Sequence, residues 1–201
     1  MGSYIIPYDV LSATELGTKR VLFYIVSTYH ASKVNDMVVF CGYKLRRNSD
    51  DVRHQLIEYL REVERKSFET TKQFAIIDSC EFDTIIQHSN GKSINQAVCL
   101  LLLAYIRTFI WKDPSRPRMY SWFKSSIANK VGIGRRSFDN AITALSNFDI
   151  IHYKTLEPYQ DNLGNWHKNV TVFVNAHGEQ SYQWWTELEK AAQYIQSQMV
   201  D

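Results

Sequence analysis

The most informative chemistry in this sequence is carried by four polar side chains that follow a glycine-containing turn: Arg135, Arg136, Ser137 and Asn140. Apolar residues recur behind them at spacings of three and four, which predicts a helix that presents these four outward near its N-terminal end. Guanidinium groups pair with phosphates and with the edge of guanine, and a carboxamide pairs with the edge of adenine. Because a helix N-terminus also favours anions, the pattern predicts contact with nucleic acid.

A second helix precedes this one, and the two together have the spacing of a helix-turn-helix. The pattern covers residues 125–147, in which a short helix containing Ala128 leads into Gly132-Ile133-Gly134. Two helices crossed over a tight turn with glycine are typical of this motif. The segment from Asn95 to Trp111 is apolar nearly all round, which predicts a buried spine helix before the motif.

Two strand candidates follow the motif and predict a hairpin. The first spans Ile150 to Thr155 and the second Trp166 to Val174, with alternating valines in the second. The loop between them, Glu157 to Asn165, is rich in turn-forming residues. A hairpin directly after the second helix of the motif is a wing.

Ahead of the motif we expect a basic-aromatic loop at residues 116–122, with Trp122 in the core.

Residues 93–175 resemble the winged-helix domain of bacterial and phage DNA-binding proteins, especially replication initiators and small transcription regulators of plasmids and phages. The resemblance rests on Ile127–Ile133, Arg135–Phe138, Ala141–Leu145 and Phe148–Ile151. The family usually has glycine where this chain has Asp149, and often serine where it has Gly134. Asp tolerates a left-handed backbone and Gly is a permitted, weaker cap, so both departures are mild.

The resemblance implies a set of contacts with duplex DNA. It assigns base contacts to Arg135, Arg136, Ser137 and Asn140, with Thr143 as a candidate deeper in the helix. It assigns phosphate contacts to Lys124 and Lys130 at the supporting helix, and to Lys154, His167 and Lys168 in the wing. Asp139 is expected to repel phosphate unless it pairs with an arginine. The alternative is that Arg135 and Arg136 are solvated residues at a helix start.

The N-terminal half shows a faint repeat of this pattern. Both halves begin with a strand candidate, Tyr4–Ile6 and Phe74–Ile77, and continue through an apolar helix to a basic amphipathic helix. A second basic patch stands where the other half has its recognition helix: Lys44, Arg46, Arg47 and Arg53. Two alternatives remain for this half, a degenerate second winged helix and an unrelated α/β companion domain. The patch is accordingly either a second duplex contact or a solvated helix start.

The last segment, Ser181 to Val200, predicts a helix with a wide apolar stripe. The stripe includes Trp185, Leu188, Ala192, Ile195 and Met199. Such a stripe either folds back on the domain or pairs with a second copy in a homodimer. We therefore expect an α+β, mainly helical chain. It comprises an N-terminal domain over residues 1–72, a winged-helix domain over 73–178 and a packing or dimerisation helix over 179–201.

Charge is distributed unevenly along the chain. The net charge is +2, yet residues 93–175 hold ten Lys and Arg against five Asp and Glu, an excess that suits a phosphate backbone. The three cysteines are an odd number and no signal peptide is recognised, which predicts a cytoplasmic protein with small buried thiols. The longest apolar run, Ala97 to Tyr105, is too short to span a bilayer, so no membrane association is expected.

Enzymatic chemistry finds little support in the sequence. The six histidines are scattered without metal-ligand spacing, and no phosphate-binding glycine loop appears, so we expect no enzyme, metal or cofactor. The leading hypothesis is sequence-specific binding of double-stranded DNA by a transcription regulator or replication initiator, with replication or transcription proteins as further partners. The alternative is a protein-interaction module, such as an inhibitor or adaptor, that uses the same fold on a replication or host protein.

Overall fold

The computed structural model describes residues 2–12, 14–29, 73–87, 95–110, 119–160, 163–175 and 184–197 of the chain. Its helices are α1 (Tyr8–Ser12), α2 (Arg20–Tyr29), α3 (Ser79–Gln87), α4 (Gln96–Phe109), α5 (Lys124–Val131), α6 (Arg135–Asn147) and α7 (Trp184–Ser197), with a 3-10 helix at Thr14–Lys19. Its strands are β1 (Ser3–Pro7), β2 (Phe74–Asp78), β3 (Met119–Phe123), β4 (Ile151–Thr155), β5 (Tyr159–Gln160), β6 (Trp166–His167) and β7 (Val170–Asn175). The described chain is an α+β fold with small antiparallel sheets.

Strands β1 and β2 pair antiparallel into a two-stranded sheet, with Ile5 opposite Ile76 at its centre. Their side chains alternate between core and solvent, as a half-buried strand requires. Tyr4 and Ile6 are buried, whereas Ile5 and Ile76 remain exposed. Both predicted strands are confirmed. Their pairing joins the first residues of the chain to residues beyond position 72.

Helix α4 is the buried spine that its apolar sequence predicts. Every residue from Gln96 to Thr108 is buried, and the helix packs against α2, β2 and α6. Asn95 caps its N-terminus by accepting a hydrogen bond from the backbone N–H of Val98 at 3.3 Å. Because α4 contacts both the N-terminal sheet and the helices that follow it, α4 sets the position of α6.

Strands β3, β4 and β7 form an antiparallel sheet in the order β3-β7-β4. The loop predicted at residues 116–122 is wrong for its described residues, which pair with β7. Trp122 is 51% exposed, so its predicted place in the core is also wrong. Tyr120, on the same face of β3 two residues earlier, packs against the hydrophobic core, whereas Trp122 near the end of the strand does not. The second predicted hairpin strand is divided, since Asn169, with a φ of 63°, separates β6 from β7.

Two hydrophobic clusters lie on the two faces of this sheet. The first runs from Tyr4 in β1 through α4 and α6 to Phe173 in β7. The second lies between β7 and α7 and contains Met119, Leu156, Val170, Val172, Val174, Leu188 and Ala192. The described N-terminal residues thus share the first cluster and do not build a core of their own. Residues 30–72, including the predicted patch of Lys44, Arg46, Arg47 and Arg53, lie outside the described residues.

Helix α7 packs on the second face of the sheet, against β7 and β4. Leu188 and Ala192 are buried there, and Ile195 packs against the same cluster. The folded-back alternative therefore holds for these three residues. Leu188 and Ala192 are thereby covered by their own chain, whereas Ile195 is half-buried, and pairing of this helix with a second copy stays a prediction. The side chain of Trp185, and the whole of Met199, lie outside the described residues.

A buried arginine joins the N-terminal segment to the turn between α5 and α6. Arg20 is 1% exposed. Its guanidinium donates hydrogen bonds to the backbone oxygens of Leu11 at 3.0 Å, Gly17 at 2.6 Å and Val131 at 3.1 Å. Val131 is the last residue of α5, where helix carbonyls have no partner within the helix. Arg20 thereby fixes the end of α5 and the start of the turn.

Candidate nucleic-acid interface

The turn between α5 and α6 depends on a glycine in the left-handed region. Gly132 ends α5 with a φ of 74°, a conformation that side-chain-bearing residues rarely adopt. The N–H of Ile133 then bonds to the carbonyl of Ala128 at 2.9 Å, and the Ile133 side chain is buried. Gly134 has an extended backbone before α6. The two predicted helices and their turn are therefore present, with the start of α6 set by packing.

The outer face of α6 carries a continuous stripe of exposed polar residues at spacings of four, three and four. This α6 stripe consists of Arg136, Asn140, Thr143 and Asn147. Its opposite face is buried through Phe138, Ala141, Ile142, Ala144 and Leu145. Consecutive residues lie about 100° apart around a helix, so Arg135 and Ser137 fall on the two flanks of the stripe. The four predicted residues thus do not share one face, and sequence reasoning missed Asn147, which the same spacing identifies.

Arg135 makes a weak ion pair along the helix. Its Nε lies 3.9 Å from Oδ2 of Asp139, and its side chain is 93% exposed. An exposed pair at this distance contributes little stability, so the guanidinium can exchange partners at small cost. Asp139 therefore has an arginine partner, the condition under which its carboxylate is not expected to repel phosphate.

A groove of about 450 Å³ lies beside the stripe, between the starts of α5 and α6, the end of β4 and the start of β7. We call it the basic groove, because its charged lining residues are Lys124, Arg135 and Lys168 against Asp139 alone. Two threonines contribute to its lining, with the hydroxyls of Thr155 and Thr171 3.1 Å apart. Three cations around hydroxyl groups suit an anion with several oxygen acceptors.

Lys124 is held in place by an aromatic ring. Its Nζ lies 4.7 Å from the centroid of the Tyr153 ring, within the range of a cation–π interaction. Tyr153 packs against the first hydrophobic cluster, on the α6 face of the sheet. The charge of Lys124 is therefore positioned by the core, although the residue lies in the first turn of a helix.

Lys154 lies apart from the other predicted cations. It lines a second groove of about 310 Å³ on the α7 face of the sheet, together with Glu157 and Glu189. We call this the acidic groove. Neighbouring residues of a strand point to opposite faces, so Tyr153 lies on the face of β4 that also carries Thr155 of the basic groove, and Lys154 lies on the other face. The structure thus separates Lys154 from Arg135 and Lys168.

The other predicted contact residues surround the stripe on different elements. Lys130 is exposed in the last turn of α5. His167 is half-buried in β6, and its ring stacks on that of Tyr159 with centroids 5.1 Å apart. The hairpin of β5 and β6 also exposes two large apolar side chains, Leu163 at 86% and Trp166 at 65%. Neither residue is among the contact residues predicted from the sequence.

The structure describes two cysteines, Cys80 and Cys99, and two histidines, His152 and His167. Burial raises the pKa of Cys99 to about 12, so its thiol stays protonated at neutral pH. Cys80 is exposed, and the prediction of buried thiols is wrong for it. His152 is buried with Nε2 3.5 Å from Oδ1 of Asp149, and burial lowers its pKa while Asp149 opposes that shift. Within the described ranges, no group of three or more His, Cys, Asp or Glu is placed to hold a metal ion.

Comparisons of the chain with protein-family models, with curated proteins and with solved structures give no match. Across the part of the chain that the structure describes, every helix falls short of the length and apolar character needed to cross a membrane. The chemistry of the interface therefore rests on its own residues: the α6 stripe, the basic groove beside it and the sheet that separates both from the acidic groove.

Proposed function

We propose that residues 96–175 form a winged helix that binds double-stranded DNA sequence-specifically, with α6 as the recognition helix. The order of elements supports this proposal: α4, β3, α5, α6, β4 and β7, with β7 between the other two strands. Strands β5 and β6 lie in the connection between β4 and β7, where the wing of such a domain lies. Helix α6 packs its buried face against α4, and this packing would hold a recognition helix in a fixed position.

The observation that carries the proposal is the exposed α6 stripe. Recognition helices contact base edges mainly through residues near their N-terminal end, which here are Arg136 and Asn140. Arg pairs bidentately with guanine and Asn with adenine, and each such pair contributes about 1–3 kcal/mol of discrimination. Thr143 lies one turn further along and suits a thymine methyl group or a base-edge hydrogen bond.

Cations around the stripe supply the part of the affinity that does not depend on sequence. Lys124 and Lys130 lie at opposite ends of α5, and Lys168 lies just before β7. Contacts from such residues to phosphates release counterions, so they make binding strongly dependent on salt. Lys154 is left out of this set because it lines the acidic groove.

As the biological role we propose transcription regulation or replication initiation of the phage or plasmid type, in the cytoplasm. The two roles use the same contacts with DNA. A regulator on a two-fold operator needs a dimer, and the burial of Leu188 and Ala192 within the chain removes part of the expected dimer surface. This observation favours binding by single copies.

A second candidate function is that of a protein-interaction module. It is favoured by the exposure of Leu163 and Trp166 in the β5–β6 hairpin, because large exposed apolar side chains close together often mark protein contacts. On this alternative the hairpin makes the main contact and the α6 stripe stays in solvent. Replacing Trp166 by Ala would then abolish partner binding, and replacing Arg136 would not.

Binding to random duplex DNA across a salt series tests the leading proposal. We expect affinity to fall steeply and log-linearly with salt. The double variant Arg135→Ala/Arg136→Ala should bind random duplex about fivefold more weakly at ~0.15 M salt, while Lys154→Ala serves as a matched control with little change. Thermal unfolding confirms that the variants fold. Unchanged affinity in the double variant would contradict the proposal.

A further inference from the structure

The two consecutive arginines at the start of α6 lie in different surroundings. Arg135 lines the basic groove, and its Nε approaches Asp139 on the same flank of the helix. Arg136 begins the outward α6 stripe with Asn140 and Thr143. Because about 100° of helix rotation separates consecutive residues, the two guanidinium groups leave the helix in different directions.

The basic groove brings together cations from three separate parts of the chain. Lys124 begins α5, Arg135 begins α6, and Lys168 lies between β6 and β7. Against these three positive charges the groove has one carboxylate, that of Asp139. A groove lined mainly by one sign of charge attracts ions of the opposite sign. The net positive charge of the groove therefore favours an anionic occupant.

Oxygen-rich anions fit the rest of the lining. The hydroxyls of Thr155 and Thr171 lie side by side at 3.1 Å, and the first turns of α5 and α6 both border the groove. Their N-cap residues, Phe123 and Gly134, provide no side-chain hydrogen bond to the free N–H groups of those turns. These donors add to the cations, and the phosphate group is the anion that suits such a combination.

We infer that the basic groove binds one phosphate group through Lys124, Arg135 and Lys168, and that Arg135 is therefore a phosphate ligand whereas Arg136 reads bases. The inference rests on the proposed function for the source of the phosphate, which is the backbone of duplex DNA. A free phosphate or phosphomonoester offers the same chemistry. On binding, Arg135 exchanges its weak contact with Asp139 for the phosphate oxygens, and Lys124 binds from its fixed position over Tyr153.

The first experiment separates the two arginines on duplex DNA. Each of Lys124→Ala, Arg135→Ala and Lys168→Ala should weaken binding to all sequences alike and reduce the slope of log affinity against log salt by about one. Arg136→Ala should instead lower affinity for the preferred sequence and leave random-sequence affinity nearly unchanged. Lys154→Ala, on the other face of the same sheet, is the matched control and should leave the slope unchanged. Equal effects of Arg135→Ala and Arg136→Ala on sequence preference would overturn the inference.

The second experiment uses no DNA. Inorganic phosphate and a phosphomonoester are titrated into the full chain and followed by amide chemical shifts, with chloride at matched ionic strength as reference. We expect shifts confined to the amides around Ser125, Arg135 and Thr171, and their loss in Lys168→Ala. Shifts spread over all surface lysines, or none at all, would overturn the phosphate site.

The two experiments distinguish failure of this inference from failure of the proposed function. Duplex binding with salt slopes unchanged in all three groove variants would overturn the inference and leave DNA binding intact. Localised phosphate shifts in a chain that binds no duplex would support the groove as a phosphate site and contradict DNA as the source. Competition for duplex by phosphate beyond that of chloride at equal ionic strength would support a single site for both ligands.

Discussion

The two grooves on opposite faces of the three-stranded sheet have opposite charge. The basic groove has Lys124, Arg135 and Lys168 against one carboxylate, whereas the acidic groove has Lys154 against Glu157 and Glu189. Strand β4 contributes neighbouring residues to both sides, with Tyr153 beneath Lys124 and Lys154 facing α7. Whether a surface suits an anionic polymer therefore depends on which face of the sheet each cation occupies. The number of cations in a segment of the sequence matters less.

Packing explains why the two faces differ. Helix α7 covers the second face through Leu188 and Ala192, and it brings Glu189 to the rim of the acidic groove. On the first face α6 buries its apolar side against α4 and leaves its polar stripe and its first turn open. The three-stranded sheet thus lies between the basic groove and the acidic groove.

Reversing the charge of the basic groove should have the largest effect. The double variant Lys124→Glu/Lys168→Glu should lower affinity for random duplex DNA by about 30-fold or more at ~0.15 M salt, since each phosphate contact contributes about fivefold there and the new carboxylates repel phosphates. Fluorescence anisotropy measures the affinity. Lys154→Glu is the control in the acidic groove and should change affinity by less than about threefold, because screening weakens charges beyond ~8 Å. Equal losses in the two variants would break the comparison.

Removing a carboxamide from the α6 stripe should have a more selective effect. Asn140→Ala should cost about 1–3 kcal/mol on the preferred sequence and little on random duplex. Asn147→Ala is a matched control of the same chemistry at the C-terminal end of α6, which lies far from base edges in a recognition helix. Selection of duplexes from a random pool, before and after each change, measures the preference. A loss of preference in Asn147→Ala equal to that in Asn140→Ala would contradict the orientation.

Neutralising the acidic groove should have a small effect on binding. Glu157→Gln/Glu189→Gln removes two carboxylates from the α7 face, and screening at ~0.15 M salt limits the gain in duplex affinity to less than about threefold. The same anisotropy assay measures it. A gain above tenfold would show that the acidic groove also lies close to the DNA, and the two faces would then not be separate in function.

Lowering the pH should reduce the free energy of unfolding through His152, which lies on the α7 face of the sheet. Its pKa is lowered in the folded chain from the usual value of 6.5, chiefly by burial, so the unfolded chain binds the proton more readily. The His152 contribution to the free energy of unfolding is then fully present above pH 6.5 and is lost as the pH falls below it. Urea titrations of wild type and His152→Asn from pH 7 downward measure the difference, and the variant should show the flatter dependence. Asp149→Asn should steepen it, because Asp149 opposes the shift.

The sequence predicted the elements with strong periodicity and missed those that depend on distant partners. The spine helix and the Gly132 turn follow from local patterns, and Asp149 has the left-handed backbone expected of it, with a φ of 53°. Strand β3 was missed because its pairing with β7 connects residues about fifty positions apart. Lys154 was predicted together with Lys168, and only the register of β4 in the sheet shows that the two line different grooves.

The N-terminal half illustrates the same limit. Its first strand was predicted, but the partner of that strand lies beyond residue 72, and a pattern within one segment does not reveal a partner in another. Arg20 shows the same limit. A charged residue at the start of a helix is usually expected to be exposed to solvent, but the hydrogen bond of Arg20 to Val131 connects residues 111 positions apart. At the candidate site, the exposed α6 stripe could be predicted from helical spacing. The basic groove could not, because its three cations come from separate parts of the chain.

Position-specific photocross-linking tests the central claim most directly. A benzophenone amino acid is introduced at Asn140 on the α6 stripe, or at Gln193, which lines the acidic groove on α7, and each protein is irradiated with duplex DNA. We predict an efficient cross-link to DNA from position 140 and none above background from position 193. Cross-linking from position 193 with none from position 140 would contradict the account, because the DNA would then lie on the α7 face.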